Sequence, residues 1–513
     1  MTGTKRKYLV RRLVACTVVA ALLGVGLARA FSGGSTPAPP DRAAAFVPKA
    51  ALVYLNLGTD RGSANWKHTA AAMQKLPLLG QLRDALLGAT TGSLLGHLRL
   101  ERDVEPWVGN EAAYASLPGN SQGLLILRVR DPKKALRSIG TSTESYRGVG
   151  LSDLGGGSVA GLTEGWALIG TRDAVHQAID LRSSPNGSLA SDQGYNHLTD
   201  GLPHERVLNG WLSGAWLNSH LSTAVKLVTG ATRASGIQSA AFSFGDDGKL
   251  LRVGFRGQAI PGAPAGGGCS GETGTTDEIF AKAPARPALF LGLGGAECVL
   301  RQVMASPGSA IGRALNSFAA RAQKAGVNVD RELLPLLGGD SALSVTPGPT
   351  ITLDAGEVPP DQGMNVLGRL QPALIDMLQP ERDGTTPSFG AKQVNGVTAL
   401  TADLTPGLHL SYAAMGGDLL VSTALSGIGQ AGKGQHLDQS KDFKLVLGDR
   451  PKQPSAVLFL DLKKFLALAD DAGLGSNPTF SAIRDDLGKI GAAGAVLSRE
   501  GNDIDAELRL KNP

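Results

Sequence analysis

The sequence predicts an α+β protein: two tandem duplicated domains with largely antiparallel sheets, preceded by one N-terminal hydrophobic helix. Three observations predict it. A basic head leads into an apolar run near the start, five segments recur in the same order further along, and strand-like and helical spacings mix without a regular βαβ rhythm.

The head comes first. Lys5, Arg6, Lys7, Arg11 and Arg12 stand without an acidic residue, and an apolar run over residues 13–27 follows. Ala28 and Ala30 give the A-x-A spacing that signal peptidase accepts. Residues 1–30 therefore read as a signal peptide or a single-pass anchor. The basic side stays in the cytoplasm and the rest is sent outward. The run is shorter than the ~20 residues that span a bilayer comfortably, which favours cleavage. Arg29 inside the cleavage motif and the polar stretch after it favour retention. The expected location is the cell membrane with extracytoplasmic domains, held through residues 13–30, or the medium if the segment is cleaved. Residues 31–46, rich in Ser, Gly and Pro, are expected to form a flexible linker.

This head accounts for the charge. The chain is formally +5, and the five basic residues named above supply all of it, so residues 13–513 are neutral. The pI near 9.0 thus belongs to the targeting segment. A neutral ectodomain lacks the phosphate-binding footprint of a nucleic-acid binder. Three cysteines are present. Cys16 lies in the apolar run, and no cysteine follows that run where a lipid would be attached. Cys269 and Cys298 form a disulfide or remain two reduced thiols, because spacing alone does not decide geometry.

The duplication sets the remaining boundaries. Val47-Pro-Lys-Ala-Ala-Leu-Val-Tyr-Leu-Asn-Leu-Gly58 aligns without gaps to Ala283-Pro-Ala-Arg-Pro-Ala-Leu-Phe-Leu-Gly-Leu-Gly294. Pro106-Trp-Val-Gly-Asn-Glu111 and its continuation to Pro118-Gly119 match Pro335-Leu-Leu-Gly-Gly-Asp340 and Pro347-Gly348. Residues 166–171 then match 418–423. Tyr195, Pro203, Trp211 and Leu212 match Phe443, Pro451, Phe459 and Leu460, and a final strand follows Gly248 or Gly501. The domains are expected at 47–257 and 283–513, with a Gly/Pro/Ser-rich linker over 258–282.

Within the first copy, strands are expected at 52–57, 112–117, 124–128, 158–162 and 166–170. Helical spacing runs from Trp66 to Leu87 and is split by Pro77. Asp131-Pro132 has the form of an N-cap followed by proline at the first helical position, with Gln371-Pro372 as its counterpart. A further helix is expected over 172–181.

Chemistry-bearing motifs are sparse. Gly427, Gly429 and Gly432 fit G-x-G-x-x-G, and Gly427 to Lys433 fits most of a phosphate loop. Gly434 stands where that loop needs Ser or Thr, however, and the equivalent 172–179 has no glycine. The eight histidines show no H-E-x-x-H pair and no metal-site spacing. No G-x-S-x-G elbow occurs, and no carboxylate pair recurs in both copies. No metal, cofactor or catalytic residue is expected. The recurrent Pro-x-x-Gly-x-acid element has two readings. Pro106, Trp107, Gly109 and Glu111, with Pro335, Gly338 and Asp340, either make a shared site for a cation or a partner or form a turn whose acid caps or begins the next strand.

At the Val47 segment and at Asp103-Val-Glu-Pro-Trp-Val-Gly-Asn-Glu111 the chain resembles a bacterial exported family catalogued as domain of unknown function 3352. The resemblance spans the ectodomain, and Leu336 departs from it where tryptophan is typical. It implies export but no activity and no site residues. The expected function is a membrane-associated, non-enzymatic envelope protein binding a partner protein or a hydrophobic ligand. The alternative is an exported hydrolase with a site confined to one repeat.

Overall fold

A computed structural model describes residues 38–76, 94–119, 123–217, 237–260, 274–305, 310–378, 387–405, 408–431 and 436–512. The apolar segment 13–30 lies outside them. Among the described residues no helix is long and apolar enough to cross a membrane. The chain is mixed helix and antiparallel sheet, and it divides into two compact units, residues 38–260 and 274–511 among those described.

The first unit carries β1 (Val53–Gly58), β2 (Val108–Ser116), β3 (Gly123–Val129), β4 (Glu144–Tyr146), β5 (Val149–Gly155), β6 (Ser158–Thr163), β7 (Trp166–Thr171), β8 (Leu208–Ser213), β9 (Ile237–Asp246) and β10 (Leu250–Ala259). They lie in the order β4-β5-β6-β7-β3-β2-β1-β8-β9-β10, every neighbouring pair antiparallel. Successive side chains of a strand point to opposite faces, and β3 uses both. Leu124 and Ile126 join the core under the helix Arg172–Asp180. Leu125 and Leu127 join a second core, with Trp107, Ala135 and Ile139, on the other face.

The second unit carries β11 (Leu289–Gly294), β12 (Asp340–Thr346), β13 (Thr350–Ala355), β14 (Gly390–Val394), β15 (Val397–Thr405), β16 (Leu408–Met415), β17 (Asp418–Ser422), β18 (Ala456–Asp461), β19 (Ala492–Glu500) and β20 (Asp503–Lys511). Their order is β14-β15-β16-β17-β13-β12-β11-β18-β19-β20, again all antiparallel. The tight hairpins also correspond. Arg147-Gly148 and Glu164-Gly165 in the first unit, and Asn395-Gly396 and Gly416-Gly417 in the second, all have positive φ. Two consecutive left-handed residues match the twist of the flanking strands.

Several expectations need correction. The linker assigned to 31–46 is folded from residue 38. A 3-10 turn spans Ala43–Phe46 and buries Ala43, Ala44 and Phe46, because these three apolar side chains join the core of the sheet. The linker assigned to 258–282 is likewise short. β10 reaches Ala259, Thr275 is buried, and the helix Glu278–Lys282 buries Ile279 and Phe280. Pro372 does not start a helix; it lies inside Pro360–Leu378. That helix follows β13 as Pro132–Ile139 follows β3, so Pro360 takes the place given to Pro372. The first expected helix does stop where proline forbids the α conformation of the preceding residue. It spans Ala64–Lys75, ahead of Pro77, with Ser63 Oγ accepting from Trp66 N. The expected continuation to Leu87 lies outside the described residues.

Candidate functional site

The recurrent proline–glycine–acid element is a clamp on the segment that enters each unit. Trp107 is fully buried, and its indole N–H donates to Asp103 O at 2.5 Å. A Cβ on Gly109 would stand 3.0 Å from the Arg128 side chain, so glycine lets β2 approach β3. Glu111 then opens the pairing of β2 with β1, opposite Gly58, and its Oε1 accepts from Ala43 N at 2.8 Å. Burial pushes the Glu111 carboxyl up to about 7, against the opposing pull of the Ala43 N–H. In the second unit Asp340 stands opposite Gly294 and accepts from Thr276 N at 2.7 Å and Thr276 Oγ1 at 2.6 Å. Pro335 lies in the short turn Leu334–Leu337, Leu336 packs inward as Trp107 does, and Gly338 N bonds Pro335 O. In both units the acid accepts from a backbone N–H of the incoming chain.

Around the clamp the two units diverge. In the first, Asp41 accepts from Tyr54 OH at 2.6 Å, from Asn209 Nδ2 at 3.0 Å and from Tyr195 OH. Asn56 Nδ2 donates to Pro40 O at 2.8 Å. Burial, then the Asp41 charge, holds both tyrosines well above the ordinary phenol value. The corresponding positions in the second unit are Phe290, Gly292, Phe443 and Val457. Phe443 packs 5.2 Å from Phe280 and 5.7 Å from Phe459, and the Arg450 guanidinium lies 4.3 Å over Phe280. Asp277, at the place of Asp41, turns outward to pair with Arg450.

A second position on the same face reverses the contrast. The first unit fills it with Phe46, Ile126 and Trp166, the two aromatic rings 5.6 Å apart. The second unit has Lys282, Asp354 and Asp418 there, as the pairings of β13 with β12 and β17 place them. Lys282 Nζ bonds both Asp418 oxygens at 3.0 and 2.8 Å. Asp354 Oδ1 is buried with no hydrogen-bond partner among the described residues. Burial first, then the Asp418 charge, pushes the Asp354 carboxyl up to about 7. Lys282 and Asp354 line a cavity of about 20 Å³ with Ser344, Thr346 and Thr352, a space that holds a water molecule and not a substrate.

A larger opening lies on the first unit. A groove of about 770 Å³ is lined by Lys49, Asp192, His197, Trp211 and the glutamines Gln193, Gln238 and Gln258. Its walls are polar, and Trp211 is nearly buried, with an indole N–H that has no partner among the described residues.

Of the glycine-rich motif, Gly427 and Gly429 are described, while Gly432, Lys433 and Gly434 lie outside the described residues. Residues Leu425–Gln430 form a short helix, and a Cβ on Gly427 would meet Ser422 Oγ at 2.1 Å and Thr352 Oγ1 at 2.4 Å. Glycine is required there for helix and sheet to touch. Cys298 is disulfide-bonded, while Cys269 lies outside the described residues. Among the described residues no cluster of His, Cys, Asp or Glu is arranged to hold a metal ion. Sequence reasoning missed Asp41, Lys282, Asp354 and Asp418. The available signal was the mismatch of character between aligned positions, such as Phe46 against Lys282.

The chain belongs to the family described as protein of unknown function (DUF3352), which matches residues 13–510. No curated protein matches the sequence. Among solved structures the chain is similar to crystal forms I and III of TP0453, each at 8% identity. Form I has a TM-score of 0.26, with 43% of this chain and 80% of that one covered. Form III has a TM-score of 0.25, with 44% and 81% covered. At that TM-score the likeness carries no structural argument.

Proposed function

We propose that this is an exported, membrane-associated, non-enzymatic envelope protein, built from two copies of one α+β fold, that binds a partner protein through its first copy. Support for duplication comes from the ten-strand order, which is the same in both units, and from the two entry clamps. The basic head and apolar run support membrane association, and the family match begins at residue 13, within that segment. The disulfide at Cys298, with Cys269 proposed as its partner, fits an oxidising compartment.

One observation carries the binding reading. The open groove on the first unit is polar, while the buried Asp354 carboxyl of the second faces a space too small for a substrate. Of the two ligands considered, a partner protein therefore fits better than a hydrophobic molecule. Crosslinking the native protein in cells and identifying the adducts by mass spectrometry tests it; a discrete partner is expected. Extractable lipid bound in stoichiometric amount in native mass spectrometry contradicts it in favour of the hydrophobic ligand.

A second reading has its own support. Lys282, Asp354 and Asp418 form a carboxylate constellation present in one copy and absent from the other, as a hydrolase confined to one repeat requires. If that reading holds, Asp354→Asn abolishes a hydrolytic activity of the purified chain while leaving its fold intact. If no hydrolysis is detected across ester, peptide and glycoside substrates, the reading fails.

A further inference from the structure

The helix Pro132–Ile139 presents an outer face that nothing in its own unit uses. Ala135 and Ile139 point inward and are buried. Leu136 points outward at 56% exposure, the most exposed large apolar side chain described. Lys133, Lys134 and Arg137 surround it, all exposed. Asp131 is spent on the N-cap, accepting from Lys134 N at 3.1 Å and lying 3.5 Å from Lys134 Nζ. Among the described residues no carboxylate pairs with Lys133 or Arg137. A leucine ringed by cations matches an anionic lipid interface in both apolarity and charge. There the leucine enters the headgroup layer and the cations meet phosphate.

The position of this helix singles out that surface. The entering segment leaves the sheet at the C-terminal end of β1, where Pro39 packs on Gly58 and Pro40 O accepts from Asn56. Gly58 pairs with Glu111 of β2, and three residues earlier Val108 pairs with Val129, the last residue of β3. Arg130 N and Asp131 N both donate to Trp107 O, so the helix starts at this same end of the sheet. Residues 31–37, between the apolar segment and the first described residue, can span at most about 25 Å. The fold does not require the basic face, because the corresponding helix of the second unit opens Pro360-Asp361-Gln362-Gly363 instead.

We infer that the helix Pro132–Ile139 rests on the anionic lipid surface of the membrane and fixes the orientation of the first unit against it. The inference depends on the proposal that residues 13–30 stay in the bilayer. The helix is a second, weaker contact that orients what the anchor retains.

The test uses the full chain in nanodiscs of phosphatidylcholine alone or mixed with phosphatidylglycerol, read by hydrogen exchange of residues 132–139. Exchange is expected to be about tenfold slower in the anionic discs than in the neutral ones. The surface variant K133Q/L136S/R137Q, whose substitutions leave the buried face untouched, should lose the difference. Equal exchange in both discs, with the chain co-eluting with them, overturns the helix contact and leaves the anchor standing. A chain that fails to co-elute with discs of either kind overturns the anchor and, with it, this inference.

Discussion

The two units place their charges in opposite positions on the same sheet face. The first unit builds a hydrogen-bonded centre around Asp41 and fills the neighbouring position with Phe46, Ile126 and Trp166. The second fills the first position with Phe280, Phe290 and Phe443 and sets Lys282, Asp354 and Asp418 in the other. One backbone arrangement therefore tolerates either solution, even with Asp354 Oδ1 buried and without a partner among the described residues. What both units keep is the clamp on the entering chain. The difference teaches that the clamp belongs to the fold, whereas the polar centres are where the two units differ.

The largest expected effect tests the Asp41 centre. Asp41→Ala strands two buried phenols and Asn209, and should destabilise the first unit by about 3–5 kcal/mol. Asp277→Ala, whose carboxylate is 79% exposed beside Arg450, should cost under about 1 kcal/mol. Hydrogen-exchange protection of β1 against β11 reads the two separately. Equal losses would break the comparison.

The next effect is a pH dependence. The Glu111 and Asp354 carboxyls sit near 7 when folded, against ordinary values of 4.5 and 3.8. The folded chain thus holds protons that the unfolded chain has released. Their contribution is fully present below about pH 4 and is lost as pH rises to about 7. Asp354→Asn should therefore match the parent at pH 4 and exceed its stability by about 4 kcal/mol at pH 8, in denaturant melts. Glu111→Gln should flatten the dependence of the first unit in the same direction.

The smallest effect concerns the clamps themselves. Glu111→Ala leaves Ala43 N buried and unpaired, and should cost about 1–3 kcal/mol. Asp340→Ala frees an N–H nearer solvent and should cost about 1 kcal/mol or less. Proteolysis at residues 38–46 against 274–282 would rank them, and cleavage favoured at the second site would invert the comparison.

Much of this fold was legible in the sequence. Pro106 to Glu111 and Pro335 to Asp340 align because each turn must deliver an acid to the same N–H-rich entry point. β1 and β11 align because Leu55, Leu57 and Gly58 recur as Leu291, Leu293 and Gly294 in the same register. Hairpins such as β4–β5 were less legible, since Glu144, Ser145 and Tyr146 show no apolar alternation. The folded entry segment was missed because Ser, Gly and Pro dominate the stretch just before it. Asp41 and Asp354 were illegible for a different reason. A single carboxylate carries no periodicity, and its burial is decided by strands far away in sequence.

The central claim is that binding is confined to the first copy. A photo-crosslinking residue at Gln238, in the groove, and another at Gln393, exposed on β14 of the second copy, test it most directly in intact cells. The account predicts a discrete adduct from position 238 and none from position 393. No adduct at 238, or the same adducts from both positions, would contradict it.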